Sequence, residues 1–128
     1  MANESTIQLA AGSGRFRISL LLHDTGSGLH GFLGGGDKAH VGGVVLALPR
    51  PSLSGRGVGV DSYIIPVPGH KDTEVARPLA EKLARALNQV VVISAGIHLE
   101  KLTSDELVQI EEGCGMLATQ ALAALRSG

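Results

Sequence analysis

Three short segments carry the residues best suited to chemistry. The first is Gly34-Gly35-Gly36-Asp37-Lys38-Ala39-His40-Val41-Gly42-Gly43. Its glycines free the backbone to turn N–H groups toward an anion and keep side chains out of the way. Lys38 adds a point charge suited to a phosphate. The spacing and the Lys-Ser/Thr pair of a Walker loop are absent. The second segment, Pro68-Gly69-His70-Lys71-Asp72, leads into a helical pattern. Unpaired N–H groups and the partial positive charge of a helix start favour an anion there, with His70 and Lys71 as further donors. The third, Ala95-Gly96-Ile97-His98, follows a β-branched run. Loops beyond the carboxyl ends of parallel strands are where α/β sheets usually bind ligands. Each segment also has a plainer reading: a glycine turn with solvated charges, a helix capped by Asp72, and a structural histidine.

The elements that must position these residues fall into two halves with different periods. Short apolar runs bounded by Gly and Pro read as strands at Arg15–His23, Leu29–Leu33, His40–Leu48 and Val58–Val67. Between the last two lies a polar stretch, Pro49 to Gly57, expected to be a long loop at a hairpin end. Val75, Leu79, Leu83 and Leu87 then recur every four residues, predicting an amphipathic helix from about Lys71 to Asn88. Pro78 is a misfit in that helix, which should begin irregularly or near the proline. Val90-Val91-Val92-Ile93 has the β-branched character of a strand buried on both faces. Thr103-Ser104-Asp105-Glu106 has the form of a capping box, opening a helix with Leu107, Ile110, Cys114, Leu117, Ala121 and Leu125 on one face.

Strand, helix and strand from Val58 to Ile93 imply two parallel strands, whereas the shorter links before them imply antiparallel pairs. The expected fold is α/β (α+β): a single mixed β-sheet of about five to six strands with two helices packed on it, in one domain spanning residues 1–128. That topology sends the start of the His40 strand, the end of the Val58 strand and the end of the Val90 strand to the same rim. His40, His70 and His98 would share it, and three imidazoles suit either a divalent metal or a phosphate gripped by His, Lys and backbone N–H groups. His23, Asp24 and His30 fall at the opposite rim in a simple meander. Cys114, flanked by Gly113 and Gly115 and preceded by Glu111 and Glu112, reads as a small core residue, since a catalytic thiol needs an electropositive setting.

Composition excludes several classes. A net charge of −1 over 128 residues leaves no basic footprint for nucleic acid. Phe16, Phe32 and Tyr63 are the only Phe, Tyr or Trp residues, too few for a base-stacking platform. One cysteine cannot form an internal disulfide and fits a reducing compartment. No basic segment followed by an apolar run opens the sequence, and no run reaches the roughly 18 apolar residues of a membrane span, so a soluble cytoplasmic protein is expected. Nucleophile elbows, HExxH helices and Rossmann glycine fingerprints are missing.

At Gly35-Gly36-Asp37-Lys38-Ala39-His40-Val41-Gly42, then Pro68-Gly69-His70-Lys71, then Gly96-Ile97-His98 with Leu102-Thr103, the chain resembles the LpdD-like prenylated-flavin chaperones. These are small accessory proteins of UbiD-type non-oxidative decarboxylases, and the resemblance runs from about Arg15 to Ile110. It implies a non-catalytic role in binding prenylated FMN and aiding its delivery or maturation, with a UbiD-type decarboxylase and a flavin prenyltransferase as partners. The residues expected to contact the cofactor are Gly35, Gly36, Asp37, Lys38, His40, Gly69, His70, Lys71 and His98. A metal, if bound, would use His40, His70 and His98. Sheet edges in need of cover, and a flat flavin better enclosed by two subunits, predict a homodimer. The alternatives are a small metal-dependent enzyme built on those three histidines, or a structural subunit of a decarboxylase complex.

Overall fold

The computed structural model describes residues 5–68, 72–98 and 101–127. In chain order its elements are β1 (Ser5–Ala11), a 3-10 turn (Gly14–Phe16), β2 (Ile18–Asp24), β3 (Gly28–Gly36), β4 (Lys38–Pro51), β5 (Val58–Pro66), α1 (Asp72–Leu87), β6 (Val90–His98) and α2 (Ser104–Ser127). The strands form one mixed sheet in the order β1-β2-β3-β6-β4-β5. β3 and β6 pair in parallel, and every other neighbouring pair is antiparallel. The expected mixed sheet with two helices on one face is thus what forms. β5 and β6 do run in the same direction across α1, but β4 lies between them rather than leaving them adjacent.

Four sequence readings need correction. Ser5–Ala11 is a strand the pattern did not reveal, because its Thr6, Gln8 and Ala10 alternate only weakly against Ile7, Leu9 and Ala11. Pro49 and Pro51 lie in β4 rather than in a loop, which leaves a turn closed by Ser52 N–H donating to the Gly57 carbonyl at 3.0 Å. Beyond Ala47 this strand has β5 on one side only, where a missing proline N–H is tolerated. Ala95–His98 is the continuation of β6, not a loop. The helix keeps Pro78 inside it, in its second turn, where only the Glu74 carbonyl forfeits a donor.

The core lies between the sheet and the helices. Ile18, Leu20, Leu22, Leu33, Val45, Val91 and Ile93 point from the sheet at Leu79, Leu83, Ile110 and Leu117. α1 covers β4, β5 and β6, and α2 covers β1 and β2. The capping box is present: Glu106 N–H donates to Thr103 Oγ1 at 3.2 Å, and Thr103 N–H to Glu106 Oε1 at 3.0 Å. Gly113 lets α2 approach the sheet, since a Cβ there would sit 3.0 Å from Ile18 Cδ1.

Both helices pack on the same side of the sheet. On the opposite face the register aligns Gln8, Leu21, Phe32, Ser94, Val44 and Ile65 in one row across all six strands. A neighbouring row holds Thr6, His23, His30, Val92, Leu46 and Tyr63.

Candidate functional site

The rim at the carboxyl end of β6 is built by an abrupt crossing. Only Asp37 separates β3 from β4, yet β6 lies between those two strands. The chain therefore passes over the end of β6 within one residue. Gly36 and Lys38 both register with His98, and Asp37 N–H donates to the His98 carbonyl at 2.7 Å. Gly35 and Gly36 take φ of 149° and 79°, and a Cβ on Gly36 would strike the His98 backbone. Only glycine meets both demands. Arg15 anchors the crossing, 3.2 Å from the Asp37 carboxylate and 3.6 Å from Glu106 at the start of α2.

Next to the crossing, β4 bulges. Ala39 pairs with Ile97 and Gly43 with Ala95, so His40, Val41 and Gly42 oppose Gly96 alone. Bulges re-aim side chains, and here the side chain is His40. Its Nε2 lies 3.0 Å from Asp72 Oδ2 in the first turn of α1, with both side chains largely buried. Nδ1 faces the Lys38 carbonyl at 3.4 Å, a weak contact. The His40 ring meets the His98 ring edge-on, with centroids 5.8 Å apart and planes at 79°. Two glycines make this approach possible. A Cβ on Gly96 would collide with the His40 carbonyl, and one on Gly42 with the Asp72 carboxylate.

Beside the histidines lies a pocket of about 240 Å³. Val75, Ile97, Leu102, Leu107 and Ile110 form its apolar wall, His98 its rim-side wall, and Asp72, Glu74 and Glu111 its acidic margin. Like charges repel, so this interior suits an uncharged, flat group better than a phosphate. Lys38, registered with His98 at the start of β4, is exposed.

The structure thus brings His40 and His98 together and sets Lys38 beside them, with Gly35, Gly36 and Asp37 forming the crossing. Gly69, His70 and Lys71 lie outside the described residues. Asp72, read from sequence only as a helix cap, is the partner of His40. The signal for it was a small residue, Gly42, in a strand that must approach a helix start. His23 and His30 sit at the far end of the sheet, as the meander implied, with ring centroids 5.3 Å apart and Thr6 Oγ1 3.0 Å from His23 Nδ1. Among the described residues no group of three or more His, Cys, Asp or Glu is placed to hold a metal ion. His40 Nε2 lies 3.0 Å from Asp72 Oδ2, and His70, the third histidine of the expected metal set, lies outside the described residues. Cys114 is buried, and burial first and Glu111 second push its thiol up from 9.0 to about 12. That is the behaviour of a core residue.

The family model for the prenylated flavin chaperone LpdD-like domain matches residues 12–126. The chain belongs to this family. Among solved structures, the chain is similar to one described as a novel chaperone complex for yeast 20S proteasome assembly. The TM-score is 0.59 at 14% identity, covering 99% of this chain and 98% of that one. At that identity the likeness is one of fold. A search of curated proteins returned no match. Among the described residues no helix is long and apolar enough to cross a membrane.

Proposed function

We propose that this chain is a non-catalytic, cytoplasmic accessory protein that binds prenylated FMN at the β6 rim and delivers or matures it for a UbiD-type aromatic acid decarboxylase. A flavin prenyltransferase is the expected source of the cofactor, and the working unit is a homodimer. The observation that carries this reading is the family match over residues 12–126, supported by the approach of His40 to His98 at the β6 rim.

The residues at the rim fit part of such a cofactor. A pocket of about 240 Å³ falls below the roughly 300–1,000 Å³ of sites that enclose a whole small ligand. Its apolar wall would take an edge of the flavin ring. The phosphate would stay outside the acidic margin, met by Lys38, His40, His98 and the Gly69-His70-Lys71 segment, with Gly35, Gly36 and Asp37 shaping the crossing beside it. Partial enclosure supports a carrier, because a cofactor that must be passed on should not be buried. The decarboxylase, not this chain, would use the flavin ring for chemistry.

Calorimetric titration with prenylated FMN and with its dephosphorylated form tests this proposal. The phosphorylated form should bind at least tenfold tighter. His40→Ala and His98→Ala should each weaken it by roughly ten- to a hundredfold, the scale of one lost charge-assisted hydrogen bond. Their combined loss should fall short of the product, since neighbours share partners. Equal affinity for the two flavins would overturn the phosphate site, and unchanged affinity in both variants would overturn the rim.

A further inference from the structure

The face of the sheet away from the helices has no cover among the described residues, and its chemistry is unusual for a solvated surface. Leu21, Tyr63 and Ile65 on it are 44%, 57% and 72% exposed. Phe32 folds its ring over Gly34, where a Cβ would strike it, and so fills the centre of the face. The two rows that cross the six strands contain no Asp, Glu, Lys or Arg. The charged pair nearest to them, Arg50 Nε and Asp61 Oδ1 at 2.9 Å, lies toward the corner by the β4–β5 turn and is internally neutralised. Sheets bury at least one face, and a second face whose two rows lack Asp, Glu, Lys and Arg while exposing Leu21, Tyr63 and Ile65 marks an interface.

We propose that this face packs against the same face of a second copy of the chain, giving a helix–sheet–sheet–helix dimer. The inference deepens the homodimer part of the reading above and is independent of the flavin part. Area supports it. Six strands about 4.8 Å apart and seven residues long at about 3.3 Å give a footprint of roughly 700 Å², close to the roughly 800 Å² per partner of a standard stable interface. Charge supports the identity of the occupant. A two-fold axis sets each patch against itself, so any excess of one charge sign would be opposed by the same sign. A face with no net charge in its two rows satisfies that condition. Two twisted sheets then stack about 10 Å apart with strands near −30°.

The pairing also closes a hollow. Thr6, Leu21, His23, His30, Phe32 and Ser94 line an open depression of about 560 Å³ on this face, which a second copy would roof.

Analytical ultracentrifugation of the flavin-free protein at micromolar concentration tests the proposal. The wild type should sediment as a dimer. Tyr63→Glu and Ile65→Glu, placed where the single chain is already exposed, should shift it to monomer with an unchanged circular dichroism spectrum. Leu21→Lys should do the same from the other side of the sheet. Leu53→Glu, in the β4–β5 turn and 91% exposed, should remain dimeric. A monomeric wild type overturns the interface, as does a dimer that survives all three face variants. Neither result touches flavin affinity, and a dimer that binds no flavin would fail the earlier reading while leaving this one standing.

Discussion

The protein holds two histidine pairs of nearly equal ring spacing, and they are built in opposite ways. His23 and His30 meet through neighbouring strands, β2 and β3, joined by a three-residue turn. That turn is stitched by Thr25 N–H and Thr25 Oγ1 to the Gly28 carbonyl at 3.0 and 3.2 Å, and by Gly26 N–H to Asp24 Oδ1 at 2.8 Å. The pair lies on the face of the sheet away from the helices, and His23 has a neutral hydroxyl as partner. His40 and His98 come from distant parts of the chain, meet only because β6 enters between β3 and β4, and involve a largely buried carboxylate. Two glycines beside them cannot carry a side chain. The first pair follows from local register. The second is held by constraints from four elements, and such convergence is what a binding site requires.

The largest expected effect comes from the close approach at the rim. Gly96→Val places its Cβ on the His40 carbonyl, a backbone atom that no rotamer change can move. Overpacking of this kind costs on the order of 3 kcal/mol or more. Thermal melting should show a drop of roughly 10 °C or total loss of the transition. A melting point within two degrees or so of wild type would break the comparison. Cys114 offers a second readout of the same event, because its thiol ionises near 9.0 when exposed but only near about 12 in the fold. Iodoacetamide at pH 8 should leave it unmodified in the wild type and alkylate it quickly in Gly96→Val. The sign of the pH dependence follows. The unfolded chain loses this proton first, so stability should decline as pH rises from 9 toward 12.

An intermediate effect separates the two partners. Asp72→Ala strips His40 of its carboxylate and should cost about 1–3 kcal/mol by urea denaturation. Thr6→Ala removes an exposed hydroxyl from His23 and should cost no more than about 0.5 kcal/mol. Equal losses would mean that burial does not distinguish the pairs.

The smallest effect belongs to the far pair. His23→Gln and His30→Gln should change stability within about 0.5 kcal/mol and leave Cys114 as slow to alkylate as in wild type. They should also leave affinity for prenylated FMN unchanged. A tenfold loss in either would move the flavin from the rim to the open face.

What could be read from the sequence was what short-range physics dictates. The capping box at Thr103 and Glu106, the apolar stripes of both helices, and the β2–β3 and β4–β5 hairpins follow from backbone hydrogen bonding and side-chain period within a few residues. The motif residues at Gly36, Lys38, His40 and His98 were visible as types, and the expected strand directions sent both histidines to one rim. Tertiary structure decided the rest. No local pattern reports that β6 slots between β3 and β4, because strand order is set by which ladder completes the core, not by the residues of any one strand. That insertion turned Ala95–His98 from a loop into a strand. It also made Asp37 a one-residue crossing whose N–H serves His98. Asp72 reads as a cap from its place before a helix, and only the bulge at His40 to Gly42 shows that its carboxylate is turned toward an imidazole. β1 escaped notice for the same reason: its weak alternation becomes a strand only because the exposed edge of β2 gives its backbone partners.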